Sequence, residues 1–326
     1  MTETEGMVLV MGVTGSGKST FINTLKPDSV AVGDGLESTP SPPQAVQLFL
    51  DEDEKFSVTI VDTPGFDDTY RSDAEVLEEI TEFLALQYAL KIPLKGIIYL
   101  HQIHENKMKG SARQYLEVFR SLCGDHALKN VMLVTTRWDR VDQYELGDAL
   151  RREQELIDKW WGPMQKMGAH VTQFHGSRGE AEAMILELVR ERPSVVLDIQ
   201  RELVDGNKVL AETKAGQQLG QQIQAQIADY QQSLVRIDEK IGEAHRQGDI
   251  GTATRLEKRR DLVNSDIGEL QRGKRLTKDK KVGAKMKRRA ETVRSRRHEV
   301  LTTGATVFAA VLSLTLTIVK FVALGG

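Results

Sequence analysis

The 326-residue chain predicts an α/β domain on a mostly parallel sheet, followed by a helical coiled-coil region and a C-terminal hydrophobic helix. Three observations lead there. Up to about Arg192, short apolar runs alternate with helix-patterned stretches; beyond it the strands stop and helical periodicity continues alone; and after Leu301 the only charge is Lys320. The boundaries that follow are 1–200 for the α/β domain, 201–272 for a helical hairpin or coiled coil, 273–300 for a basic segment and 301–324 for the hydrophobic helix.

Met7 to Gly12, MVLVMG, is an apolar run closed by glycine, the pattern of a buried parallel strand. AVQLFL (45–50) and FSVTIVD (56–62) flank DEDEK and predict a hairpin with a solvated acidic turn. GIIYL (96–100), NVMLVTT (130–136) and HVTQF (170–174) are further strands, and Asp73 to Leu90, Ser111 to Leu122, Tyr144 to Trp161 and Gly179 to Arg190 are helical in pattern. Such alternation covers both faces of a parallel sheet. From Glu202 to Ala244 the chain is polar and helical in period. Ile227, Tyr230, Leu234, Ile237, Ile241 and Ala244 recur alternately three and four apart, a narrow coiled-coil seam. QGDIG (247–251) breaks this run before a stretch carrying Leu256, Val263, Ile267 and Leu270. The two helices therefore fold back as a hairpin or lie on the first domain as surface helices.

The net charge of −3 conceals a split, with 20 basic and 32 acidic side chains in 1–200 against 24 and 15 in 201–326. Thirteen Lys or Arg lie between Arg272 and Arg297, a solvated face or a surface for anionic lipid. Without interleaved aromatics it is not expected to bind nucleic acid. Cys123 is the single cysteine, which excludes an internal disulfide and agrees with a reducing compartment. MTETEG lacks the basic-then-apolar pattern of a cleaved signal.

GVTGSGKS (Gly12 to Ser19) fits GxxxxGKS directly after a predicted strand and before a helix-like stretch. Glycines there let backbone amides turn inward around a phosphate, Lys18 reaches the outer phosphates and the Ser19 hydroxyl reaches Mg²⁺. The contact set is Gly12, Thr14, Gly15, Ser16, Gly17, Lys18, Ser19 and Thr20. Downstream, VDTPG (61–65) ends a strand: Asp62 holds Mg²⁺ through water, and the Gly65 amide senses the γ-phosphate. TRWD (136–139) ends a later strand, where parallel sheets bind ligands. An aspartate there accepts from N1–H and the 2-amino group of guanine, and adenine would leave it unpaired. Thr136 and Asp139 thus read as base-site residues, Arg137 as a planar cation laid along the base, and Ser177, after the last strand, as a donor of backbone to the base oxygen. In this order the motifs describe a GTP-binding domain; an ATPase or kinase would require TRWD to be accidental.

Over about Met7 to Arg192, GVTGSGKST, DTPG and TRWD resemble the branch of translation-factor-related P-loop GTPases that contains immunity-associated GTPases, chloroplast outer-envelope import-receptor GTPases and septins. The resemblance implies GTP and GDP as ligands with Mg²⁺, slow hydrolysis, and homodimerisation of G domains across the nucleotide face. It also implies a first-switch threonine on Mg²⁺, placed at Thr39 with Ser38 beside it, so that the metal set is Ser19, Thr39 and Asp62. Arg137 stands where the family usually has lysine, and Phe66 where Ras-like enzymes carry the water-positioning glutamine. Related dimers supply an arginine from the facing subunit after the fourth strand; Lys107 occupies that place here. Lys18, Thr39 and Lys107 are accordingly the expected catalytic set, and the alternative is a non-hydrolysing, GTP-dependent scaffold or receptor.

The run from Leu301 carries apolar residues all round, and Thr306, Ala310, Ser313, Thr317 and Lys320 form a small, polar stripe along one face. As a helix its 24 residues span ~36 Å, enough for a ~30 Å hydrocarbon core, and the basic block would lie on the cytosolic side. This predicts a single-pass C-terminal anchor on the cytosolic face of an intracellular membrane, with a soluble pool alongside. The alternative is an interfacial helix or one buried on the protein.

Overall fold

The computed structural model describes residues 3–30, 43–51, 53–68, 71–104, 110–276 and 281–297. Ser38, Thr39, Lys107 and the hydrophobic run 301–324 lie outside them. Six strands, β1 (Glu3–Gly12), β2 (Gln44–Phe49), β3 (Phe56–Asp62), β4 (Leu94–Gln102), β5 (Val131–Thr136) and β6 (His170–Gln173), form one sheet in the order β2-β3-β1-β4-β5-β6. β2 runs antiparallel to β3, and every other pair is parallel. Among the described residues the α/β architecture read from the alternating pattern is therefore present. The hairpin read around DEDEK is the antiparallel β2–β3 pair.

The helices are α1 (Lys18–Leu25), α2 (Asp73–Ala89), α3 (Gly110–Cys123), α4 (Leu146–Leu156), α5 (Gly162–Lys166), α6 (Arg178–Arg190), α7 (Asp198–Gln200), α8 (Lys214–Gln247), α9 (Ile250–Leu276) and α10 (Val282–Arg297). The position of β1 at the middle of the sheet explains why Met7 to Met11 is apolar without alternation. Met7, Leu9 and Met11 enter one core with α2, α3 and the later helices; Val8 and Val10 enter a second core with α1 and α6 on the opposite face. The Ser72–Glu75 capping box starts α2, the helix that follows the DTPG turn.

Two helical readings change. The run expected from Glu202 to Ala244 is broken: a π turn (Arg201–Asp205) ends at Gly206, Asn207 adopts φ +50°, and α8 begins only after Thr213, whose Oγ1 caps it by accepting from Gly216 N–H at 3.1 Å. The helix expected over Tyr144 to Trp161 starts at Leu146 and continues through a π turn (Ile157–Trp161), whose Trp161 is fully buried, into α5.

Among the described residues after Arg192 no second core forms. Leu197, Ile199, Leu203, Val204 and Leu210 join the first one, as do Leu219, Ile223 and Ile227 of α8, which lies along α3 and donates from Gln222 Nε2 to Gln114 O at 2.8 Å. Further along, Ile237, Ile241 and Ala244 are buried where α9 doubles back against α8. Asp238 faces Arg260 at 3.7 Å and Gln224 faces Lys274 at 2.6 Å, so the pair is antiparallel and within one chain. The basic α10 is clamped to α2: Val282, Met286 and Ala290 are buried, and Lys285 pairs with Glu82 at 2.7 Å. Among the described residues no helix is long and apolar enough to cross a membrane.

Candidate functional site

The loop from Gly12 to Gly17 joins β1 to α1 at the C-terminal edge of the sheet. Gly12 sits at φ +147° beside Leu100 of β4, and the left-handed Gly17 opens α1, whose first-turn amides have no helical partners. The Lys18 ammonium folds back over the loop, donating to Gly12 O at 3.1 Å and Val13 O at 3.0 Å. A positive helix start, a wrapped backbone and a buried lysine form an anion cradle.

DTPG is seated directly on this cradle. Val13 and Phe66 form a parallel bridge, and Thr14 N–H donates to Phe66 O at 2.8 Å. A Cβ on Gly65 would lie 2.7 Å from Thr14 N and 2.8 Å from Lys18 Nζ, so only glycine allows the turn to touch the loop. Ser19 Oγ donates to Asp62 Oδ2 at 2.8 Å, while Asp62 Oδ1 and Ser16 Oγ are buried with no hydrogen-bond partner. An orphaned carboxylate oxygen beside a hydroxyl, both on hard oxygen atoms, is a donor set that fits Mg²⁺.

Burial governs the charges here. It pushes Lys18 down to about 8 against the pull of Asp62 and Asp68, and pushes Asp62 up against the pull of Lys18 and Ser19. Above pH 8 the ligand-free Lys18 is mostly neutral, whereas a bound phosphate favours the ammonium. Triphosphate binding at pH 9 is therefore expected to take up protons and to weaken up to about tenfold per pH unit, an effect absent below pH 7. Calorimetry in buffers of different ionisation enthalpy measures the uptake. Because the folded value lies below the ordinary 10.5, the unfolded chain binds more protons between these two values, and the ligand-free fold gains stability as pH rises through that window.

TRWD meets the same loop from β5. Thr136 Oγ1 donates to Ser16 O at 2.8 Å, and Arg137, at φ +66°, holds Nε 3.8 Å from where a Gly17 Cβ would stand. Trp138 is buried against Ile103 and Ala149, and this turns its neighbour Asp139 out to solvent at the rim. His175 lies over Trp138 with ring centroids 5.8 Å apart, joining the loop after β6 to the turn.

Among the expected site residues, Gly12 through Ser19, Asp62, Gly65, Thr136 and Arg137 converge. Asp139 stands at the edge, and Thr20 is exposed on α1. Ser177 has another engagement: it caps α6, accepting from Glu180 N–H at 3.2 Å and donating its own N–H to Glu180 Oε2 at 3.2 Å. The spacing S-x-x-E in SRGE carries that signal in the sequence. Phe66 stacks on Tyr115 of α3, centroids 5.2 Å apart, and Tyr115 Oη donates to Asp73 Oδ2 at 2.9 Å. Among the described residues no group of three or more His, Cys, Asp or Glu is placed to hold a metal ion.

Solved structures with a similar chain include Toc33 from Arabidopsis thaliana in complex with Mg²⁺ and GMPPNP, at 18% identity over 60% of this chain and 89% of that one, TM-score 0.47. Era from Aquifex aeolicus bound to GDP and aluminium fluoride is 15% identical over 59% and 57% of the two chains, TM-score 0.41. The elongation factor SelB from Methanococcus maripaludis, with a GTP analogue, is 13% identical over 60% and 36%, TM-score 0.38. No curated protein matches the chain. Residues 6–175, just over half of the sequence and the whole of the cradle, DTPG and TRWD, match the AIG1 family, and the chain belongs to that family.

Proposed function

We propose that the chain binds GTP and GDP with Mg²⁺ and acts as a membrane-anchored nucleotide switch that hydrolyses GTP slowly, with help from a second copy across the nucleotide face. The observation that carries this is the seating of Gly65 and Phe66 on Thr14 and Lys18, beside the Ser19–Asp62 pair. A γ-phosphate entering the cradle must displace or reorder that turn, which makes it a sensor of the triphosphate. Ser19 and Asp62 would hold the metal from the described side, with Thr39 completing the set. Bound Mg²⁺ neutralises charge on the outer phosphates. Lys18 binds those phosphates, Arg137 flanks the base and Asp139 accepts from guanine.

A non-hydrolysing, GTP-dependent scaffold is the second reading, and Phe66 favours it. Its ring is buried on Tyr115, so the residue after DTPG offers water no hydrogen bond. Lys107 from a partner copy is the proposed source of the missing charge stabilisation. For the tail, the run 301–324 is proposed as the anchor that holds the molecule at the cytosolic face of an intracellular membrane. Turnover per molecule, measured from low to high protein concentration, is expected to rise in the wild type and to stay flat in Lys107→Ala. Undetectable turnover at every concentration would leave the scaffold as the function.

A further inference from the structure

We propose that Thr135 and Glu153 brace Trp138 and thereby set the base selectivity of the nucleotide site; this rests on the reading that Asp139 meets guanine. Trp138 Nε1–H donates to Thr135 Oγ1 at 3.0 Å, and Thr135 Oγ1–H donates to Glu153 Oε1 at 2.7 Å. The second oxygen of Glu153 accepts from the Gln173 amide. Three elements are thus joined in one run of hydrogen bonds that ends at the indole: β6 through Gln173, α4 through Glu153 and β5 through Thr135. Thr135, Trp138 and Glu153 are all buried.

The direction of donation gives the carboxylate its purpose. A hydroxyl alone rotates freely between donor and acceptor roles; a carboxylate only accepts, so it takes the single Thr135 proton and leaves a lone pair facing the indole N–H. Trp138 is then held in one orientation by a hydrogen bond at one edge and by Ile103, Ala149 and the His175 ring around it. Its backbone neighbours are Arg137, in a left-handed conformation, and Asp139, and the short turn closes with Arg140 N–H donating to Arg137 O at 3.2 Å and Val141 N–H to Trp138 O at 3.1 Å. Tilting the indole therefore displaces the carboxylate that reads the base. Burying a carboxylate where two apolar side chains would pack costs stability. A site that must be held to a fraction of an ångström has a use for that cost.

The test compares the wild type with Thr135→Val, Trp138→Phe and Glu153→Gln by competitive binding of GTP and ATP, each with Mg²⁺, to the full chain. Thr135→Val and Trp138→Phe are expected to lower the GTP-to-ATP affinity ratio at least about tenfold while ATP affinity, set at the phosphate cradle, moves less than about twofold. Glu153→Gln keeps an acceptor for Thr135 once the Gln173 amide flips, and it is expected to retain most of the ratio. Trp138→Phe leaves Thr135 bonded to Glu153 and strands no polar group, so it carries the test if Thr135→Val unfolds. A ratio unchanged in both Thr135→Val and Trp138→Phe, with Asp139→Asn still altering base preference, would overturn the brace alone. Equal binding of GTP and ATP by the wild type would overturn the guanine reading beneath it as well.

Discussion

Lys18→Ala is expected to weaken binding of a magnesium nucleoside triphosphate by about a thousandfold. Two or three charge-assisted hydrogen bonds to phosphate, at ~1.5–3 kcal/mol each, disappear with the ammonium, and ~4 kcal/mol is about three decades in affinity. The fold is expected to survive. Burial already lowers the Lys18 pKa to about 8, so removing the ammonium relieves a desolvation cost while stranding the Gly12 and Val13 carbonyls. The two effects oppose each other. Thermal unfolding of the ligand-free protein checks the second expectation and titration with a fluorescent nucleotide the first.

Gly12→Ala is expected to act in the opposite manner, through the fold. At φ +147° a side chain is strained wherever it points, and here its Cβ would stand 2.4 Å from Leu100 O and 2.6 Å from Ser16 Oγ. The Leu100 carbonyl does not yield easily, since Gly12 and Leu100 are register partners between β1 and β4. The expected loss is about 3 kcal/mol of stability, combining backbone strain with a backbone clash in the sheet. It should appear as a lowered denaturation midpoint with an unchanged slope, and nucleotide binding should fall with it as the cradle opens.

Where residue order carried the information, the site was legible. GVTGSGKS follows an apolar run and precedes a helix, VDTPG closes the next parallel strand and TRWD closes a later one, and these three places adjoin in the fold. Periodicity alone does not name its partner. Leu219, Ile223 and Ile227 share the spacing of Ile237 and Ile241, yet the first group meets α3 and the second meets α9. In α10 the four-residue spacing of Val282, Met286 and Ala290 was present but outweighed by the surrounding charge, which read as a solvated or lipid-facing segment. Residues 201–213 broke their helix through Gly206, Asn207 and the Thr213 cap, signals weaker than the helical period around them. The Thr135–Glu153–Gln173 contacts join residues 18 and 20 positions apart, and no local pattern announces them.

The measurement closest to the central claim is equilibrium binding of GTP, ATP and xanthosine triphosphate, with Mg²⁺, to the wild type and Asp139→Asn. Guanine reading by the exposed carboxylate beside Trp138 predicts GTP bound at least ~100-fold more tightly than ATP, and a shift toward xanthosine triphosphate in the variant. GTP and ATP bound alike by the wild type, with no shift on substitution, would contradict it and leave Asp139 as the end of a strand.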